Sequence, residues 1–146
     1  MTKKQYSHLR DNSYSLRHRT FPANLYCVDI DMVELNSNGD PVAVMELKRS
    51  DMNNAKEGTD PKNFLNVARK KMADKLGVPY FIVVYSYFSE KLGRIVGAED
   101  GPDVAIDVAT YTVVPRNKLA MKLTNEVMKN LSESEYVQFL IALRNN

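Results

Sequence analysis

LYCVDIDMVELNSNGDPVAVMELK, residues 25–48, decides how this chain is read. From Leu25 to Leu35 the β-branched and apolar content is high, and Tyr26, Val28, Ile30 and Met32 share one face by the two-residue period of a strand. Asn36-Ser37-Asn38-Gly39-Asp40 is a turn signal, because Asn-Gly supplies the two positive φ angles of a type I′ hairpin turn. Pro41 to Lys48 reads as the returning strand, with Ala43, Met45 and Leu47 on one face. If Asn38 and Gly39 are the central turn residues, Ser37 opposes Asp40 and Val33 opposes Val44. Asp31 then opposes Glu46, and Asp29 opposes Lys48. Directly opposed Cβ atoms lie about 4.5–5.5 Å apart, so three carboxylates and one ammonium share a patch of one sheet face.

Such a patch calls for cations, since opposed like charges destabilise a strand pair. Lys48 supplies one charge and a divalent metal would supply two. Mg²⁺ takes one or two carboxylates together with waters and phosphate oxygens. There it polarises a phosphoryl oxygen and lowers the pKa of a bound water. Lys48, a compact point charge, suits the attacking hydroxide or the pentacovalent phosphate. Val42, Ala43, Val44, Met45 and Leu47 make the second strand read as buried, where charges are rarely placed without partners. The plain alternative is a salt-bridged face turned to solvent, because Glu-x-Lys alone is a common combination.

The pattern Asp31 … Glu46-Leu47-Lys48 resembles the PD-(D/E)XK, or restriction-endonuclease-like, nuclease superfamily. In that family an aspartate on one strand and Glu-x-Lys on its hairpin partner hold Mg²⁺ and cleave phosphodiesters. The resemblance implies Asp31, Glu46 and Lys48 as the catalytic set, with Asp31 and Glu46 as metal ligands. Asp29 would be a supporting carboxylate or an alternative ligand. It further implies Mg²⁺ as cofactor with Mn²⁺ as a substitute, DNA as partner, and a core over about residues 25–88 in which a helix and a strand follow the hairpin. The proline that names the motif is missing before Asp31. Where some branches carry Gln in the following helix, this one offers only Asn63 and Asn66, which read as ordinary helix surface.

The remaining pattern predicts a mixed α/β (α+β) fold, a mixed central sheet flanked by helices, in a single domain over 1–146. Residues 1–20 read as a short helix plus a loop. Asp60 is placed to cap a helix from Pro61 to about Leu76, with Phe64, Val67, Ala68, Met72 and Leu76 as its apolar stripe and Gly77 ending it. Pro79 to Phe88 is a nearly continuous apolar run, as in a strand covered on both faces, and its tyrosines and Phe81 read as core, with base stacking a lesser option. Arg94 to Val96 and Val104 to Val114 read as strands around a turn-rich loop. Helices are expected over about 117–145, the last opened by a Ser132/Glu135 capping box with Tyr136, Leu140 and Leu143 inward.

The single cysteine, Cys27, excludes an internal disulfide and a multi-cysteine zinc site, and in a strand it reads as a small buried hydrophobe. With two histidines, His8 and His18, a zinc site built on imidazoles is not expected. There is no apolar run of about 18 residues and no signal-peptide pattern, so a cytoplasmic protein without a membrane span is expected. The net charge of +2 is mild. Its distribution is uneven, and Arg17, His18, Arg19, Arg49 and Lys62 are the candidate phosphate contacts, against the alternative of solvated faces. The first functional expectation is a Mg²⁺-dependent DNA nuclease. The others are a junction-resolving endonuclease acting as a homodimer, a catalytically silent interaction module of the same fold, and a phosphoesterase of small nucleotides.

Overall fold

The computed structural model describes residues 13–21, 26–50 and 60–145. A short helix, α1 (Ser13–His18), precedes a six-stranded mixed sheet. Its strands are β1 (Met32–Leu35), β2 (Pro41–Arg49), β3 (Tyr80–Ser89), β4 (Arg94–Ile95), β5 (Val108–Pro115) and β6 (Met128–Ser132). The order is β1-β2-β3-β5-β6, with β4 paired to the end of β3. Only β2 and β3 run parallel, joined by α2 (Phe64–Leu76) as the crossover helix; every other pairing is antiparallel. α3 (Lys118–Leu123) and α4 (Glu133–Arg144) complete the chain. Among the described residues no helix is long and apolar enough to cross a membrane.

Alternation along the strands sorts the core into two layers. Ala43, Met45, Phe81, Val83 and Val113 pack on the side of Ala120 and Leu143, from α3 and α4. Val44, Tyr80 and Ile82 pack on the other side, against Ala73 of α2 and Val78. Glu46 and Lys48 continue the Val44 face, beneath α2.

The hairpin register is the expected one over Met32–Met45, Val33–Val44 and Glu34–Ala43. The turn is not type I′. Asn36 and Asp40 pair around a three-residue loop closed by Gly39 N donating to Asn36 O (3.0 Å), with Gly39 at φ +82. The Asn36 carboxamide also accepts from the amides of Asn38 and Asp40, which favours this longer loop. A register shift at Glu34/Leu35 absorbs the difference, so the expected pairing holds from Glu34 back to Met32, where the ladder ends.

Several expectations are corrected. The first strand begins at Met32, and residues 26–30 form no regular structure. Its ladder stops because Asp31 Oδ2 accepts the Leu47 amide at 2.8 Å, where a backbone carbonyl would otherwise sit. Ile30 consequently packs on the Val44 side and not beside Met45. Cys27 is exposed and outside any strand, with Sγ 3.9 Å from His18 Nδ1. Asn63, not Asp60, caps α2. The stripe proposed for α2 is also rotated: Asn66, Arg69 and Ala73 are the buried residues, while Phe64, Met72 and Leu76 are exposed. A five-residue strand, β6, interrupts the expected C-terminal helices by pairing with β5. The Ser132/Glu135 capping box forms as expected, and Leu143 is buried with Tyr136 and Leu140 packed beside it.

Candidate active site

Glu46 is the centre of the candidate site. It lies on β2, 4 % exposed, where the sheet passes under α2. Burial raises its pKa above the ordinary carboxylate range; Asp31 nearby adds to this, while Arg69 and Lys48 work against it. Lys48 Nζ stands 3.2 Å from Glu46 Oε1, and being two residues along the same strand it leans over the same face. Lys48 is less enclosed than Glu46, so its ammonium forms the open side of the site.

The other cation is Arg69, which α2 turns inward. Its Nε lies 3.0 Å from Glu46 Oε2. That N–H is aimed at the Asp29 carbonyl oxygen, at 2.9 Å, so its contact with Glu46 is electrostatic and not an aligned hydrogen bond. Glu46 Oε2 is thus a buried oxygen that accepts no hydrogen bond among the described residues. Arg69 Nη1 donates to Asn66 Oδ1 (3.1 Å), and the same oxygen accepts from the Tyr80 hydroxyl (3.4 Å). Asn66 Nδ2 donates to the Asp60 carbonyl (2.9 Å), tying the loop before α2 to the network. Burial lifts the Tyr80 hydroxyl to about 12, which keeps it a donor.

Arg69 therefore fixes both halves of the site. It neutralises Glu46 directly, and by holding the Asp29 carbonyl it sets the path of the chain that delivers Asp31. Two carboxylates and two cations leave the cluster without net charge.

No family model, curated protein or solved structure matches the chain. Lys48 and Glu46 share one face at 3.2 Å, and Asp31, its Oδ2 on the Leu47 amide, lies near enough for its charge to raise the pKa of Glu46. Asp29 contributes its backbone carbonyl, and among the described residues no three acidic, histidine or cysteine side chains gather as a metal-holding group. The donor set for a cation is accordingly Glu46 and Asp31, and two carboxylates are what Mg²⁺ commonly takes from a protein. A buried Glu46 oxygen lacking a hydrogen bond, beside a second carboxylate, fits such a cation.

The proposed phosphate contacts are scattered. Arg49 projects to the opposite sheet face from Glu46 and donates from Nη2 to the Val96 carbonyl at 2.9 Å. Lys62 is exposed in the turn before α2, with its amide bonded to Asp60 Oδ1. Arg17 and Arg19 are exposed on and after α1, and the His18 ring packs at 5.5 Å from that of Phe21. Sequence reasoning missed Arg69, Asn66 and Tyr80. Asn66 and Arg69 are three apart on a helix, which places them on one side, but only the buried acid beneath reveals that this side faces in.

Proposed function

We propose that this chain is a Mg²⁺-dependent nuclease with a restriction-endonuclease-like core, hydrolysing DNA phosphodiesters, with Mn²⁺ as a substitute metal. One observation carries the reading: Glu46, buried with one oxygen left without a hydrogen bond, has Lys48 at 3.2 Å and the charge of Asp31 acting on it from the neighbouring strand end. Asp31 and Glu46 would hold the metal, which when bound supplies Lewis-acid polarisation of the phosphate and a more acidic water. Lys48 places its ammonium over the open side, where it stabilises negative charge developing on the phosphate. Arg69 counters the rise in the Glu46 pKa that burial causes and holds the carboxylate in one orientation. A cytoplasmic location belongs to the same proposal, as does a homodimer if the substrate is a branched junction.

The test is cleavage of single-stranded, duplex and four-way DNA with Mg²⁺ or Mn²⁺, alongside Lys48→Ala and Asp31→Asn. The expected result is metal-dependent cleavage that falls by about two orders of magnitude or more in each variant, the scale of losing one preorganised electrostatic group. Cleavage surviving both substitutions would remove this site from consideration. A second reading rests on the Arg69–Glu46 pair, which leaves the cluster neutral without any metal: the site then serves as internal scaffolding of a binding module. Tight DNA binding with no cleavage under any metal selects that reading.

A further inference from the structure

On the sheet face away from Glu46, α4 leaves a cavity of about 230 Å³ uncovered. Tyr85, Tyr87, Tyr111 and Tyr136 line it, together with Glu34 and Met45. Tyr85 and Tyr87 are two apart on β3 and share this face, with ring centroids 5.3 Å apart. Tyr111 and Tyr136 stack on each other at 4.2 Å with 6° between their planes, so each covers one face of the other and the stacked pair forms one aromatic side of the cavity. Burial and the charge of Glu34 lift the Tyr136 hydroxyl to about 12, so it stays protonated. Glu34 Oε2 accepts from Arg144 Nη2 at 3.1 Å. Arg49 stands in register with Tyr85 on the same side of the sheet, with its guanidinium bonded to the Val96 carbonyl at 2.9 Å.

Each feature narrows the ligand. The Glu34–Arg144 pair leaves the cavity without net negative charge, which argues against an organic cation. Among the described residues that line the cavity none is cationic, which argues against a buried phosphate. Four tyrosine rings in two pairs and a carboxylate acceptor suit a planar heterocycle bearing an exocyclic amine. The volume is below the roughly 300 Å³ at which sites for drug-sized ligands begin, so a ring enters and a sugar-phosphate stays outside.

We infer that this cavity is a nucleobase-binding pocket, in which the base stacks on the tyrosines and offers its amine to Glu34. The base comes either from a free nucleotide or from a single strand. This site shares no residue with the Glu46 cluster and does not rest on the nuclease reading.

Calorimetric titration in EDTA, where nothing is hydrolysed, separates these sources. The probes are adenosine monophosphate, a single-stranded adenine oligonucleotide and an abasic strand of equal length. Saturable binding of the mononucleotide assigns a nucleotide site; binding of the oligonucleotide alone assigns a strand site. In either case the abasic strand is expected to bind at least about fivefold more weakly, the scale of one stacked base. Tyr87→Leu and Tyr136→Leu should each weaken base-dependent binding by a similar factor, with circular dichroism confirming that they fold. Glu34→Gln, nearly isosteric, should weaken adenine more than uracil, which lacks an exocyclic amine. The inference is overturned if no base-bearing probe binds better than the abasic strand. Folded tyrosine variants and Glu34→Gln all binding as the unaltered chain does would overturn it equally. Cleavage dependent on Lys48 can persist through either result, so failure here is distinct from failure of the nuclease reading.

Discussion

Replacing Arg69 with methionine keeps much of the side-chain length and removes the charge that faces Glu46. In the folded chain Glu46 is 5 % exposed at its side chain, and Arg69 approaches it at 3.0 Å. Removing one partner of a buried ion pair costs about 3–5 kcal/mol, because the remaining charge is left uncompensated. Two details set the expectation near the lower end. The Arg69 contact with Glu46 is not an aligned hydrogen bond, and Lys48 remains at 3.2 Å. With a urea m-value of about 2 kcal/mol/M, a loss of about 3 kcal/mol moves the midpoint down by roughly 1.5 M.

The deficit should depend on pH with a definite sign. Glu46 already has a raised pKa, and Arg69 is the largest influence holding it down, so Arg69→Met raises it further. A carboxyl whose folded pKa exceeds its unfolded value binds its proton more tightly when folded. Stability in the variant therefore falls as pH rises from the ordinary carboxylate range through the folded pKa of Glu46. Urea unfolding followed by circular dichroism should show the full deficit at pH 8 and a smaller one near pH 5. Adding Glu46→Gln to Arg69→Met should recover most of the loss at pH 8, since the buried charge is then gone. A deficit under about 1 kcal/mol at pH 8, or one that does not change with pH, would refute the account of Arg69 as the counter-ion that makes Glu46 tenable.

Asn117, 1 % exposed, accepts from the Tyr80 and Ala120 amides and donates to the Val78 carbonyl and Asp74 Oδ1. Asn117→Ala strands buried backbone groups and should cost about 2–4 kcal/mol, read as a fall in melting temperature of roughly 5–15 °C. On α2 the exposed Met72 should accept lysine within about 0.5 kcal/mol, whereas Ala73→Leu overpacks the contact with the sheet and should cost about 1–3 kcal/mol. Equal effects at the two positions in chemical denaturation would contradict the observed rotation of the helix. If the chain cleaves DNA, activity should fall toward acid as Glu46 takes a proton, and a folded Arg69→Met variant should lose activity at higher pH than the unaltered chain.

Much of the scaffold was legible along the chain because it rests on short-range rules. The alternation in Pro41–Lys48 and the apolar run after Pro79 report strands directly, and Gly77, with φ +72, ends α2 where an αL residue was expected. The register of Met32–Glu34 against Ala43–Met45 was also legible, although the loop reaches it through a three-residue turn and a compensating shift. β6 was not, since its five residues carry little apolar pattern and are held by the edge of β5. Nor was the burial of Tyr85 and Tyr87, half-open where a fully covered strand was expected.

The sequence by itself determined the hairpin and the charged triplet Asp31, Glu46 and Lys48, because strand period and turn chemistry act over a few residues. Only the tertiary structure decided what surrounds that triplet. The apolar residues of α2 argue for one orientation of the helix, yet a carboxylate buried in the sheet below imposes another. Satisfying Glu46 with Arg69 outweighs hiding Phe64 and Met72, and that balance exists only once helix and sheet are in contact.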